Sequence, residues 1–228
     1  MAVAQAILGG LGLRGEHLRI VDGADVAALD AALQAAPAQC VARAATFSVQ
    51  ADKRATLELA LEHLLQHAAQ APPPEAIALP APASPFGGLR IDTDRCTLCM
   101  SCVGACPEAA LADNAERPRL SFIEKNCVQC GLCASTCPED AITLEPRLWL
   151  AAAGQARKQP RALHETEPYR CIRCGKPFGT PKAIERMIAQ LGGHAMFQGA
   201  AAQRLRMCGD CRIIDIHSNP NETRITDL

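Results

Sequence analysis

Apolar and polar positions follow three rhythms along the chain. In residues 1–70 they predict helix and strand in alternation. Residues 4–11 are almost wholly apolar and are followed or interrupted by Gly9, Gly10 and Gly12, which predicts a short helix ending in turn glycines. Residues 18–21 (LRIV) read as a strand, 25–35 as an Ala/Leu-periodic helix and 41–49 as a second strand. Asp52 is placed to cap an amphipathic helix running to residue 69, with Leu57, Leu59, Leu61, Leu64 and Leu65 available for its buried side. Residues 71–85 (APPPEAIALPAPASP) then read as a semi-rigid, extended connector.

The second rhythm, over residues 86–150, is short apolar runs set between cysteines. Residues 89–91 and 142–144 read as an outer strand pair, and 120–123 as a strand leading into the second cysteine run. Residues 151–164 form a second connector. The third rhythm, over 165–216, is two cysteine pairs around a helix at Pro181–Leu191, with Thr180 as N-cap, Pro181 in the first turn and Gly192 as the stop. Residues 217–228 are a tail. The expected fold class is α+β, with a small N-terminal α/β segment, a central cysteine-rich domain and a C-terminal module.

Composition narrows the chemistry. Aromatics make up 3% of the 228 residues, so large side chains for one deep core are few, whereas the thirteen cysteines stand out. The charge is uneven: residues 1–85 hold five basic and eight acidic side chains, 86–150 six and nine, and 151–228 twelve and seven. The net of −1 supplies no global field for nucleic acid or an anionic membrane. No apolar run reaches the ~18–20 residues of a membrane helix, and no basic residue precedes Arg14 to suggest a signal peptide. The expectation is a cytoplasmic protein, in which thiols stay reduced and clustered cysteines mean metal.

The cysteines of the central segment repeat at an offset of 31. Cys96, Cys99, Cys102, Cys106 and Pro107 recur as Cys127, Cys130, Cys133, Cys137 and Pro138, and Glu108, Ala110 and Leu111 have counterparts in Glu139, Ala141 and Ile142. Each half reads C-x2-C-x2-C-x3-C-P. Three thiolates two residues apart on one tight loop can converge on three corners of an iron–sulfur cube, and the fourth corner needs a sulfur from another direction. Over about residues 88–148 the chain resembles the bacterial-type two-cluster ferredoxin. That resemblance implies two [4Fe–4S] clusters, one on Cys96, Cys99, Cys102 and Cys137 and the other on Cys127, Cys130, Cys133 and Cys106. Four thiolates on each cube leave no open iron, so the implied role is single-electron transfer and not substrate chemistry. Backbone N–H groups of Ser101, Gly104, Gly131 and Ala134 are expected to approach the sulfurs.

The four remaining clustered cysteines are Cys171-x2-Cys174 and Cys208-x2-Cys211. Two C-x2-C pairs suit a structural Zn2+ in a zinc-ribbon or treble-clef-like module, with each pair forming a knuckle; a single iron is the alternative for the same four thiolates. CIRCGKPFGTPKAIERM followed by RMCGDCR, after a two-cluster ferredoxin, is similar to iron–sulfur proteins associated with molybdenum or tungsten formate dehydrogenases, over about residues 86–216. The resemblance implies such an enzyme as redox partner, with this chain an electron-transfer protein or subunit without catalytic residues of its own. The rival reading is an assembly or regulatory protein that senses redox state or oxygen. Basic residues Arg204, Arg206 and Arg212 read as a solvated face, since no aromatic residues interleave them as nucleic-acid binding would need. Cys40 reads as a small buried hydrophobe. His63 and His67 read as a polar helix face, His194 and His217 as unneeded neighbours of the C-terminal site, and Trp149 and Tyr169 as packing at domain junctions.

Overall fold

A computed structural model describes residues 1–68, 75–82, 84–114, 116–194 and 197–219. Its centre is two antiparallel strand pairs. β2 (Gly87–Ile91) pairs with β5 (Ile142–Trp149), and β3 (Leu111–Ala112) with β4 (Arg119–Phe122). The 31-residue repeat of the sequence is also a repeat of register. Ile91 faces Ile142 in one strand pair, and Phe122 faces Leu111 in the other, each residue of one pair having its repeat mate in the other. Reciprocal bonds tie the halves: Asp92 N–H donates to the Ala141 carbonyl at 2.9 Å, and Ile123 N–H to the Ala110 carbonyl at 2.8 Å. Leu89, Leu111, Leu120 and Phe122 are buried in one cluster together with Cys102, Cys127 and Cys133.

Each pair gains a third strand, β1 (Ala76–Ala78) beside β5 and β6 (Arg161–Glu165) beside β4, giving the orders β1-β5-β2 and β3-β4-β6. Both additions come from stretches expected to be connectors. β1 (Ala76–Ala78) lies within 71–85, and β6 (Arg161–Glu165) and a 3-10 turn at Ala156–Lys158 lie within 151–164. The outer edges of the strand pairs present unpaired backbone groups, and a short neighbouring segment with buried Ile77 and Leu79 satisfies one of them despite its prolines. Residues 71–74 and 83 of the first connector, and 220–228 of the tail, lie outside the described residues.

Over its described residues 1–68 the N-terminal segment is helical and not α/β. α1 (Ala2–Gly10), α2 (Val26–Gln34) and α3 (Lys53–His67) form where expected, the last two with Asp25 and Asp52 as N-caps. The third helix ends at His67 with Ala68 as its C-cap, two residues short of the expected end at residue 69. Neither 18–21 nor 41–49 forms a strand; Ile20 is 81% and Val49 84% exposed. A strand needs a neighbour to complete its hydrogen bonds, and α1 and α3 instead dock on the far end of β5 and on β1. There Ile7, Leu11, Leu61, Ile77, Leu148 and Leu150 form a second core. Gly10 is required by that docking, because a Cβ on it would come within 2.6 Å of the Ile77 side chain. The buried face of α3 also holds Glu58, which the leucine pattern did not indicate, paired with buried Arg157 (Nη1 to Oε1, 2.9 Å).

The C-terminal part consists of α6 (Pro181–Leu191), a 3-10 helix at Gly199–Arg206 and α7 (Gly209–Ser218). The Thr180 hydroxyl accepts from Ala183 N–H at 3.2 Å, as the cap reading required. Among the described residues no helix is long and apolar enough to cross a membrane.

Candidate metal centres

The two cysteine runs fold alike because they reverse the chain at the same places. Leu98 (φ 55°) and Met100 (φ 62°) adopt left-handed backbone in the first run, Gln129 (56°) and Gly131 (81°) in the second, and Ala109 (48°) and Asp140 (46°) follow the two Cys-Pro steps. Such angles are strained in most L-residues, and they bend each loop so that sulfurs and amides converge. Each loop then enters a short helix, α4 (Ser101–Gly104) or α5 (Leu132–Thr136). The last cysteine of each run accepts the amide four residues on: Ala110 N–H to Cys106 Sγ at 3.3 Å, and Ala141 N–H to Cys137 Sγ at 3.4 Å.

Two cavities result, one for each run. The first is lined by Cys96, Cys99 and Cys102 of one run and Cys137 of the other, against Ile91, Leu120 and Ile142. The second is lined by Cys127, Cys130 and Cys133 with Cys106, against Leu89, Phe122 and Leu144. The chain thus carries the fourth cysteine of each run across to the other run's cavity. Cys99 and Cys130 are exposed, the remaining six buried or half-buried.

Burial and mutual repulsion favour the neutral thiol at most of the cysteines whose pKa values are shifted in these cavities. Burial, then the charges of Cys96, Cys99 and Cys133, push Cys102 up to about 12, and burial with Cys127 pushes Cys133 up to about 11. Burial also raises Cys96 and Cys127, against amides at Leu98 and Gln129. Cys99 runs the other way: burial works to raise it, but the hydroxyls of Ser101 and Thr97 and the backbone N–H of Ser101 outweigh that. Four thiolates around one apolar cavity repel one another and become stable only on a positively charged centre. Of the amide donors expected from sequence, Ser101 and Ala134 act on Cys99 and Cys133. Ala110, Ala141 and the Gln129 side chain, whose Nε2 lies 3.3 Å from Cys127 Sγ, were missed. Ala110 and Ala141 were legible as repeat mates. Gln129 shows only as a break in the repeat, since its mate is Leu98.

Cys171, Cys174, Cys208 and Cys211 form a tighter group. Their sulfurs all lie within 4.8 Å of one another, with Cys174 Sγ 3.7 Å from Cys208 Sγ. Tetrahedral Zn–S bonds of ~2.3 Å place sulfurs ~3.8 Å apart, so this spacing is that of a single-ion site, while the eight cysteines of the runs stand around wider cavities. The first pair sits in a tight turn: Gly175 (φ 72°) donates to the Cys171 carbonyl at 2.9 Å, and Cys171 N–H donates to the Lys176 carbonyl at 3.0 Å. The second pair is not the knuckle expected from sequence. Cys208 is the N-cap of α7 and Cys211 lies in its first turn, because Gly209–Ser218 continues as helix directly from the pair. Cys208 N–H donates to Cys171 Sγ at 3.3 Å. Burial raises Cys171, but the amides of Cys208, Cys174 and Arg173 bring it down to about 6. Cys211 is pushed up to about 12 by its contact with Cys174, then by burial and the other two sulfurs.

The residues declined as ligands have other roles. Cys40 is exposed, not buried as expected, because the segment around it joins no core. His63 and His67 stack at 4.2 Å, and His63 Nε2 lies 2.7 Å from the Arg43 carbonyl. Trp149 lies beside the guanidinium groups of Arg147 and Arg161, and Tyr169 packs edge-on against Phe178.

Comparison with known families agrees with this geometry. Residues 88–138 match the family described as a 4Fe-4S dicluster domain, and residues 116–177 match a second family of the same description. The first span covers both cysteine runs; the second takes in the second run together with Cys171 and Cys174. No curated protein matches the chain. The matched region is that of a ferredoxin-like iron–sulfur protein with an electron-transfer role.

Proposed function

We propose that this ferredoxin-like chain holds two [4Fe–4S] clusters, one on Cys96, Cys99, Cys102 and Cys137 and one on Cys127, Cys130, Cys133 and Cys106, and passes single electrons between partner proteins. The observation that carries this reading is the exchange of the fourth cysteine between two equivalent cavities. When bound, such a cluster accepts and releases one electron with its thiolate ligation complete. The chain's own residues do the rest. Leu89, Leu120, Phe122 and Leu144 exclude water, while Ala110 and Ala141 direct N–H groups at sulfur and so favour its anionic form. Exposed Cys99 and Cys130 bring an edge of each site to the surface, where a partner can approach.

The C-terminal group is read as a structural Zn2+ site on Cys171, Cys174, Cys208 and Cys211, in a treble-clef-like module of turn and helix N-terminus. The proposed domains are 86–150 for the clusters and 165–216 for the zinc module. The proposed partner is a cytoplasmic oxidoreductase of the molybdenum or tungsten formate dehydrogenase class, supported by the resemblance of residues 86–216.

Metal analysis of anaerobically purified protein tests the assignment. The expected result is about eight irons and eight sulfides with one zinc per chain, and reduced protein whose EPR spectrum shows two interacting clusters. About four irons per chain would overturn the two-cluster reading, and a ninth iron in place of zinc would overturn the zinc assignment.

A further inference from the structure

The segments on either side of the cysteine runs each send a cation to the same place in one half of the repeat. Arg54, in the first turn of α3, donates through Nη2 to the Lys125 carbonyl at 2.6 Å and the Cys127 carbonyl at 3.1 Å, and through Nη1 to the Pro85 carbonyl. Its guanidinium stands 4.6 Å from the centre of the Phe86 ring. Lys182, in the first turn of α6, donates through Nζ to the Thr93 carbonyl at 2.6 Å and the Asp94 carbonyl at 3.0 Å. Asp94 and Lys125 are repeat mates, as are Cys96 and Cys127. Two unrelated helices therefore place one positive charge each beside the first cysteine of each run.

Resting on the cluster reading above, we infer that Arg54 and Lys182 are positioning residues that raise the reduction potentials of the two sites separately, Arg54 at the Cys127 site and Lys182 at the Cys96 site. Reduction by one electron adds one negative charge to a site, and a fixed cation nearby stabilises the reduced form over the oxidised one. The two cations differ in setting. Arg54 is half-buried and held by three carbonyls, with Glu58 one helical turn away. Burial lowers its pKa, opposed by Glu58 and Cys127. Lys182 is 43% exposed and faces Asp94 at 4.0 Å, so salt screens it more strongly. At Cys96 burial raises the thiol most, and Lys182 is among the groups that offset it.

Redox titration of the intact, iron-loaded chain, followed by EPR, tests this. Arg54→Gln is expected to move one of the two reduction waves to lower potential, and Lys182→Gln the other. For a unit charge ~10 Å away at an effective dielectric near 20, the change is about tenfold in the reduction equilibrium, or about 59 mV for one electron. Arg54→Lys retains the charge and restores most of the wild-type value. Raising ionic strength is expected to shrink the Lys182 shift more than the Arg54 shift. Fully loaded variants whose two potentials equal those of wild type overturn the inference and leave the cluster reading standing, as do variants that both move the same wave. Should Arg54→Gln fail to load iron, the Lys182→Gln titration decides alone. A wild-type chain without iron and sulfide overturns the inference and the cluster reading together.

Discussion

The Thr180 hydroxyl donates to the Thr97 carbonyl at 2.7 Å while accepting from Ala183 N–H, so one buried side chain both starts α6 and fastens it to the loop between Cys96 and Cys99. With the Lys182 bonds to Thr93 and Asp94, and the Arg186–Glu139 ion pair at 3.1 Å, it joins the C-terminal module to the first cavity.

Thr180→Ala is expected to remove the cap and the anchor together. Loss of an N-cap costs about 1 kcal/mol and an unmade buried hydrogen bond about 1–3 kcal/mol. Amide exchange in α6 should accelerate while exchange in β2 and β5 stays slow. Unchanged exchange in α6 would show that Thr180 carries neither role.

Cys106→Ala should empty mainly the site shared with Cys127, Cys130 and Cys133, and Cys137→Ala the site shared with Cys96, Cys99 and Cys102. Each variant is expected to keep about half of the iron, with Mössbauer or EPR spectra of the two residual sites that differ. If each substitution disturbs only the cavity of its own run, the exchange of ligands is wrong.

Glu58→Gln leaves the Arg157 guanidinium, itself buried, without its carboxylate. Breaking one side of a buried pair costs about 3–5 kcal/mol, while replacing both by apolar groups is often neutral. Chemical denaturation should therefore show a large loss for Glu58→Gln and a much smaller one for Glu58→Leu combined with Arg157→Met.

Glu165 on β6 is held down to about 2 by hydrogen bonds from Arg119 (2.7 Å) and Arg117 (2.8 Å). A folded-state value below the unfolded one contributes stability above the unfolded pKa, about 4.5, and that contribution fades as pH falls towards 2. The gap in urea midpoint between wild type and Glu165→Gln should be constant from pH 7 to about 5, then narrow with acidification. A gap that widens below pH 4 would reverse the assigned sign.

Much of the candidate site was legible from local pattern. The repeat offset pointed to two equivalent loops, and the Ala/Leu period over 25–35 with the caps at Asp52 and Thr180 and the stop at Gly192 located three helices, because such signals act within a few turns of chain. The same locality explains the failures. Residues 18–21 and 41–49 have strand-like composition, but a strand exists only if another edge is free to pair with it. Residues 76–78 have the composition of a connector and pair because the edge of β5 is free there.

By itself the sequence determined which cysteines belong together in number and kind: two runs of four, then two pairs. Ligand type and spacing within a loop are properties of a few consecutive residues, and they are enough to call for iron–sulfur clusters. Which sulfurs face one cavity was settled by the tertiary structure, since carrying Cys106 and Cys137 across depends on the register Ile91↔Ile142 and Leu111↔Phe122. So was the position of Arg54, whose three carbonyl partners lie more than thirty residues away along the chain. A charge at long sequence separation leaves no periodic trace, and only packing of α3 against the second cysteine loop brings it to the site.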